Sequence, residues 1–191
     1  MYTLSEDEKR ELLSLARQSI ANAACGKNPP VVNLEEKSVS LREPGATFVT
    51  ITRKGDLRGC IGTLEPYQPL ILDVIEHAAA AAMNDFRFLP VRPEELDELE
   101  LEISVLTWPR KITYSSIDEL YQLITPGRDG VVIRDGARRA TFLPQVWEQL
   151  PELDEFMGHL CRKMGASADY WKKSKLEISI YQVIEFREKE N

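Results

Sequence analysis

The sequence predicts an α+β protein, a mostly antiparallel sheet with helices packed against it. Helical and strand periodicities are mixed along the chain without the strict alternation that builds a parallel sheet. Two strand pairs are separated by turn sequences, around Lys54-Gly55-Asp56 and around Asp135-Gly136, which require hairpins and therefore antiparallel pairing. The run from about Leu70 to Met83 reads as a helix apolar nearly all round, so it must be covered on most sides.

Taken in order, Ser5-Glu6-Asp7-Glu8 forms a capping-box start, with hydroxyl and carboxylate each reaching an orphan amide. Leu12, Ala16, Ile20 and Ala23 recur at helical spacing, and Gly26 supplies the stop. Asn28-Pro29-Pro30 breaks the chain before an extended arm from Val31 to Leu41. Thr47 to Arg53 reads as a strand, with Val49 and Ile51 alternating against Phe48, Thr50 and Thr52. A three-residue connection, Lys54-Gly55-Asp56, sets Thr50 opposite Cys60 and Val49 opposite Ile61 in the next strand, because a slip of one residue would invert every side chain. On that register Phe48 faces Gly62 and leaves open space beside the cysteine. Pro93-Glu94-Glu95-Leu96 opens a short helix with proline in its favoured early position. Leu99, Leu101, Ile103 and Val105 alternate with Glu100, Glu102 and Ser104, the pattern of a half-buried strand.

Further on, Ser116 to Ile124 reads as a helix, and Val131-Val132-Ile133 with Ala140 to Leu143 as a hairpin. Pro144 to Leu150 is a turn or short helix carrying a core Trp147. Leu153, Phe156, Met157, Leu160 and Met164 mark an amphipathic helix ending at Gly165. Leu176, Ile178, Ile180, Ile184 and Phe186 share one face of a single closing strand.

Composition sets limits on function. At 191 residues the chain suits one domain, spanning 1–191, and is long enough to fold without a disulfide or metal. A formal charge of −7 argues against nucleic acid as a partner, since phosphate neutralisation needs clustered Lys and Arg. The nearest basic cluster, Arg134, Arg138 and Arg139, sits around a turn and reads first as a solvated hairpin end, second as a phosphate or carboxylate contact. Cys25, Cys60 and Cys161 have no metal-like spacing, and two histidines in the whole chain cannot make a histidine-rich zinc site, so neither metal nor cofactor is expected. Charged residues from Ser5 to Arg10 stand where a signal peptide needs an apolar core, and the Leu70–Met83 run is too short for a bilayer. The expectation is a cytoplasmic protein with no membrane partner.

The chemically distinctive stretch is Leu57-Arg58-Gly59-Cys60-Ile61-Gly62. In a strand, Leu57 and Ile61 would point into the core while Arg58 and Cys60 share the other face, roughly 6–7 Å apart. Two glycines weaken a strand, and their usual reason is a bulge or a close approach to the backbone. A guanidinium beside a thiol favours the thiolate. The bland alternative is that Cys60 is a small buried hydrophobe. Asn84-Asp85-Phe86-Arg87-Phe88-Leu89-Pro90 offers a second guanidinium, Arg87, beside a carboxylate, Asp85, which could orient it for an anion or simply cap a helix end. His77 reads as a hydrogen-bonded, half-buried histidine rather than a base.

The stretch Leu57–Gly62 resembles the signature of the AMMECR domain family, whose bacterial and archaeal members are called AmmeMemoRadiSam system protein A. The similarity continues, in order, through Ala81–Phe88, Glu102–Leu106, Gly127–Gly130, Thr141–Trp147 and Arg162–Gly165, and so spans nearly the whole chain. Phe86 stands where the family often has proline, and Met164 where it often has alanine. The resemblance implies one domain with a larger and a smaller lobe, and association with Memo-like and radical-SAM proteins, but no settled activity. On this basis Cys60 and Arg58 are the expected catalytic pair. Gly59, Gly62, Thr50, Asp85 and Arg87 are the expected contacts to an unidentified small molecule. Whether the protein is an enzyme stays open, as does a non-catalytic scaffold or regulatory role using the same motif as an interface. A homodimer is left open as well.

Overall fold

Ser5 begins the first helix, α1 (Glu6–Ala24), as expected: its hydroxyl accepts the Glu8 amide and the Glu8 carboxylate takes the Ser5 amide at 2.7 Å. Leu12, Ala16 and Ile20 form its buried stripe, and Gly26, at φ 67°, ends it. The predicted extended arm is instead two short turns, a 3₁₀ turn at Leu34–Glu36 and α2 (Val39–Arg42). The Asn33 side chain caps the first turn by accepting the Glu35 amide at 3.2 Å, a local bond that competes with extension.

The computed structural model describes residues 3–188, and the chain divides into two compact units. One runs to Leu106 and resumes at Ile184; the other is Thr107–Val183. The first unit holds β1 (Pro44–Arg53), β2 (Asp56–Gly62), the two-residue β3 (Gln68–Pro69), α3 (Leu70–Met83), a 3₁₀ turn at Pro93–Glu98, and β4 (Leu99–Leu106). Its sheet runs β2-β1-β4 and then β9 (Val183–Arg187), with β3 joined to β1. The pairings of β1 with β2, β3 and β4 are all antiparallel. Val49 and Ile51 of β1, Leu101 and Ile103 of β4, and the Leu70, Val74, Ala78 and Ala81 line of α3 meet in one core with α1. Arg17 of α1 fastens the returning chain: its guanidinium donates to Glu188 at 2.8 Å and to the carbonyls of Leu96 and Leu99.

The second unit comprises β5 (Arg110–Ile112), α4 (Ile117–Leu123), β6 (Gly130–Asp135), β7 (Arg138–Phe142), a 3₁₀ turn at Pro144–Glu148, α5 (Leu153–Lys163), α6 (Tyr170–Lys173) and β8 (Glu177–Tyr181). Its sheet order is β5-β8-β6-β7, antiparallel throughout. Trp147 lies in its core as expected, stacked on Phe156 with ring centroids 3.6 Å apart, and its indole N–H donates to the Asp129 carbonyl. The single closing strand is corrected to two. The chain breaks at Gln182, so Ile178 and Ile180 belong to one core and Ile184 and Phe186 to the other. A period of two persists across the break, and the period alone cannot show that the strand has changed sheets. The mixed, antiparallel α+β class is as expected. Among the described residues no helix is long and apolar enough to cross a membrane.

A polar cluster of Thr47, Asp73 and His77 is buried in the first unit. Asp73 of α3 is fully buried, accepting the Thr47 hydroxyl at 2.6 Å, with His77 Nδ1 at 3.1 Å from the same oxygen. Its other oxygen has no partner among the described residues. His77 is 6% exposed, more buried than its sequence suggested, and it faces Thr47 on the core side of β1. Replacing Thr47 by the isosteric valine keeps the strand but deprives a buried carboxylate of its donor. Thr47→Val is therefore expected to lower stability by about 1–3 kcal/mol, read as a lower urea midpoint.

Candidate functional site

The site begins with a register. Arg53 pairs with Asp56 across a two-residue turn in which Lys54 and Gly55 both have positive φ, 54° and 88°, the geometry of a tight hairpin turn. This corrects the three-residue connection. The register nonetheless becomes the expected one beyond the turn, because β2 carries an extra residue: Thr52 opposes Leu57, Ile51 opposes Gly59, and Arg58 bulges out between them. Thr50 then opposes Cys60, Val49 opposes Ile61 and Phe48 opposes Gly62.

The bulge changes which way side chains point. Leu57, expected in the core, is 43% exposed, since the extra residue places it on the outer face with Thr52. Arg58, expected beside the sulfur, turns to Glu95. Its guanidinium donates to both carboxylate oxygens, at 3.1 and 3.0 Å, and to the carbonyls of Leu89 at 2.9 Å and Pro90 at 3.4 Å. Glu95 is 8% exposed by side chain and also accepts the Arg92 amide and the Arg53 guanidinium. None of Arg58's hydrogen bonds goes to Cys60, so its expected contact with the thiol is replaced by a structural clamp between β2 and residues 89–95.

The glycines serve packing. Gly59 faces the core opposite Ile51, and a Cβ there would overlap the Ala81 carbonyl of α3. At Gly62 a Cβ would overlap the Thr47 carbonyl and the Phe48 ring. The space expected beside Cys60 at that position is thus occupied by Phe48.

Cys60 itself is half-buried on the outer face, and the Thr50 hydroxyl lies 3.1 Å from Sγ with the hydroxyl as donor. Hydrogen bonding alternates in an antiparallel ladder, so the amide and carbonyl of Cys60 turn away from β1 toward the open edge. Asp85 and Arg87 meet them there. The Cys60 N–H donates to Asp85 Oδ2 at 2.9 Å, and Arg87 Nη2 donates to the Cys60 carbonyl at 3.3 Å. Asp85 in turn accepts Arg87's backbone N–H at 3.1 Å, its Nε at 2.9 Å and its Nη2 at 2.6 Å. The Arg87 hydrogen bonds, helped by the Cys60 and Arg87 amides, outweigh burial and hold the Asp85 carboxyl well below the usual carboxylate range. Arg87 is raised above its ordinary value, first by the hydrogen bonds to Asp85, with an attractive charge interaction with Cys60 in the same direction. Arg87, 44% exposed by side chain, is thus the guanidinium that touches Cys60, through the cysteine's carbonyl.

Sequence reasoning missed Glu95, whose signal is the Arg92-Pro93-Glu94-Glu95 helix start, and placed Glu102 only as a polar position of its strand. Glu102 opposes Thr50 from β4, so Cys60, Thr50 and Glu102 form a row across three strands. Its carboxylate is paired with Arg187 at 2.5 Å. Three exposed apolar side chains frame the site along the chain: Leu57, Phe86 at 95% and Leu89 at 84%. Among the described residues no group of three or more His, Cys, Asp or Glu is placed to hold a metal ion.

The fold is a mixed helix and antiparallel-sheet one whose edge strand β2 presents a cysteine with its backbone held by an aspartate–arginine pair. The chain belongs to the AMMECR1 family, whose family model matches residues 13–186. It is 37% identical to protein MK0488 of Methanopyrus kandleri, covering 98% of this chain and 91% of that one. It is 38% identical to a protein of Methanothermobacter thermautotrophicus, covering 97% and 96%. The crystal structure of uncharacterized protein PH0010 from Pyrococcus horikoshii superposes with a TM-score of 0.75 at 34% identity, covering 94% of this chain and 90% of that one.

Acid is expected to loosen this site in a defined window. Arg58 first, then the Arg92 amide, brings the Glu95 carboxyl down from 4.5 to about 2. Unfolded, the group binds its proton near the ordinary value; folded, it stays ionised. Its stabilisation is complete above pH 4.5 and is lost as pH falls toward about 2. Denaturation midpoints measured at intervals from pH 6 to pH 2 should drop on this limb. Glu95→Gln should be less stable at neutral pH and show a flatter acid limb.

Proposed function

We propose that Cys60 is the working group of a thiol-dependent small-molecule site, with Arg87 and Thr50 as its partners. The observation that carries this is a half-buried cysteine whose thiol meets the Thr50 hydroxyl at 3.1 Å while the Arg87 guanidinium holds the carbonyl of the same residue at 3.3 Å. A donor aimed at Sγ and a positive charge beside it stabilise developing negative charge on sulfur, which is what a nucleophilic or ligand-binding thiol requires. Arg87 Nη1 makes no hydrogen bond among the described residues, so it is the arm that would take an anionic group on the substrate. By ladder alternation the Gly62 amide turns to the same edge as the Cys60 amide and would be the backbone donor to a bound oxyanion. Arg58, Gly59 and Asp85 act as positioning residues.

A second reading is supported by the framing side chains. Leu57, Phe86 and Leu89 are too exposed for core duty, and exposed apolar residues around a polar centre suit an interface with another protein. Memo-like and radical-SAM proteins are the partners that family resemblance suggests, and the two readings are compatible in a shared pathway.

Alkylation by iodoacetamide at neutral pH, followed site by site with mass spectrometry, tests the proposal within one molecule. Cys60 should react faster than Cys25, although Cys25 is the more exposed of the two. Cys161, fully buried and raised by that burial, should stay silent until unfolding. Thr50→Val should slow Cys60 by about fivefold, the worth of one hydrogen bond, and leave Cys25 unchanged. A Cys60 rate no greater than that of Cys25 would remove the activated thiol. Co-purification of a partner that survives Cys60→Ser but is lost in Phe86→Ser would then favour the interface.

A further inference from the structure

The sequence of α3 is apolar nearly all round, yet the fold covers one side of it only in part. Leu72, Ala79 and Ala80 are half-buried, while Leu70, Val74, Ala78 and Ala81 are packed into the first core. The half-buried side floors a cavity of about 650 Å³ in the first unit, walled by Ala23 of α1 and by Pro29-Pro30. That volume lies within the roughly 300–1,000 Å³ of small-molecule sites. The Pro29-Pro30 wall is in place before any ligand arrives. Proline has no amide N–H to satisfy, and the turn leading into the pair is pinned. Asn22 donates its side-chain amide to the Asn28 carbonyl at 2.8 Å, and the Lys27 N–H donates to the Asn22 carbonyl at 2.8 Å.

Few polar groups line this cavity, and one of them is fixed. Glu76 is the only carboxylate among the described lining residues. Its Oε2 accepts Gln68 Nε2 at 2.6 Å and the Tyr67 hydroxyl at 3.0 Å, and Gln68 Nε2 also donates to the Tyr67 oxygen at 2.9 Å. Burial, followed by the hydrogen bond to Glu76, pushes the Tyr67 phenol up to about 12, so it remains the donor at neutral pH. Gln68 is held by its backbone as well, paired in β3 with Gly45 of β1. This triangle leaves two acceptors on lining residues, Glu76 Oε1 and Gln68 Oε1, without a hydrogen bond among the described residues. The Ser19 hydroxyl is already committed to the Ile75 carbonyl at 2.6 Å. Lys27 is the opposing charge in the lining, but it is exposed and makes no ion pair among the described residues. A lysine stem that nothing holds carries its ammonium into solvent. The charge fixed on this cavity is therefore negative.

We propose that this cavity binds a small organic cation, a primary ammonium on an apolar body, with the ammonium on Glu76 and Gln68 and the body against Leu72, Ala79, Ala80 and Pro29-Pro30. An ammonium has three donors and no acceptor, which matches acceptors left over on two adjoining side chains. Hydrogen bonds between charged partners are also the stronger class. A carboxylate already held by two donors gives up little freedom when the ligand arrives. Neutral apolar molecules gain only the contacts of floor and wall, and anions meet Glu76. The inference shares no residue with the Cys60 site and is independent of that reading.

Titration of ¹⁵N-labelled protein at neutral pH with hexylammonium chloride, hexanoate and 1-hexanol, sodium chloride holding the ionic strength constant, tests it. Saturable shifts are expected at the amides of Ala23, Ala79 and Ala80. Hexylammonium should bind at least about tenfold more tightly than either of the other two, as expected for hydrogen bonds to a charged group. Glu76→Gln, at an exposed position, keeps the shape of the side chain and removes its charge. It should weaken hexylammonium by about tenfold and leave 1-hexanol unchanged. A parallel titration with 6-aminohexanoate identifies the source of the ammonium. Tighter binding than hexylammonium, lost in Lys27→Met, identifies a zwitterionic ligand whose carboxylate Lys27 takes; weaker binding identifies a simple amine. Hexanoate bound as tightly as hexylammonium, shifts that fail to saturate, or an unchanged Glu76→Gln would each overturn the proposal.

Discussion

Every edge strand leaves a row of backbone donors and acceptors without a strand to meet them, and β2, the strand carrying the cysteine, is such an edge. The requirement is answered at Cys60 by two side chains. Asp85 accepts its amide and Arg87 donates to its carbonyl, which is the pair of bonds a neighbouring strand would have made. The carboxylate is buried to 2% by side chain, a costly placement unless every lone pair is used. Four donor contacts meet that demand, three of them from Arg87. Cys60, Asp85 and Arg87 thus form one hydrogen-bonded unit, and none of the three can be moved without unpairing a buried group.

The bulge at Arg58 is the second half of the same arrangement. Without the extra residue, the two-residue turn would set Val49 opposite Cys60, and the thiol would be driven into the face packed against α3. With it, Cys60 meets Thr50 outside while Gly59 presents only hydrogen to the Ala81 carbonyl inside. The displaced Arg58 is then used as a clamp, neutralising buried Glu95 and capping two carbonyls of the 89–90 segment. That segment follows Arg87 after one residue, Phe88. The clamp and the Asp85–Arg87 grip therefore hold opposite ends of one short loop against β2.

How much of this was legible depends on whether the information was local. The pairing of Thr50 with Cys60 was readable because alternation in both strands permits one consistent register. The bulge was not, since two wrong assumptions cancelled: an over-long turn and an uninterrupted strand give the same partners beyond Gly59. Leu57 and Arg58, the residues between turn and bulge, were consequently misplaced. Asp85 and Arg87 were recognisable as a pair from their spacing, yet their grip on the Cys60 backbone depends on a contact across 25 positions, which no periodicity encodes. The split of the closing strand at Gln182 was hidden for a similar reason. Both halves alternate in step, and only the partners differ.

Satisfying the edge with side chains has a consequence that a further strand would not. A strand added beside β2 would continue the outer face and set its own side chains next to Cys60, narrowing the approach to Sγ. Asp85 and Arg87 reach the backbone end-on from a loop, so the hydrogen bonds are made without extending the sheet. Arg87 keeps nearly half of its side chain in solvent while one edge of its guanidinium is committed to Asp85. A guanidinium held along one edge and open along the other is already oriented before any ligand arrives, and orientation fixed in advance is what lets a polar group act without first reorganising. The same two residues thereby close the sheet and leave its cysteine approachable, two demands that a purely strand-built edge would set against each other.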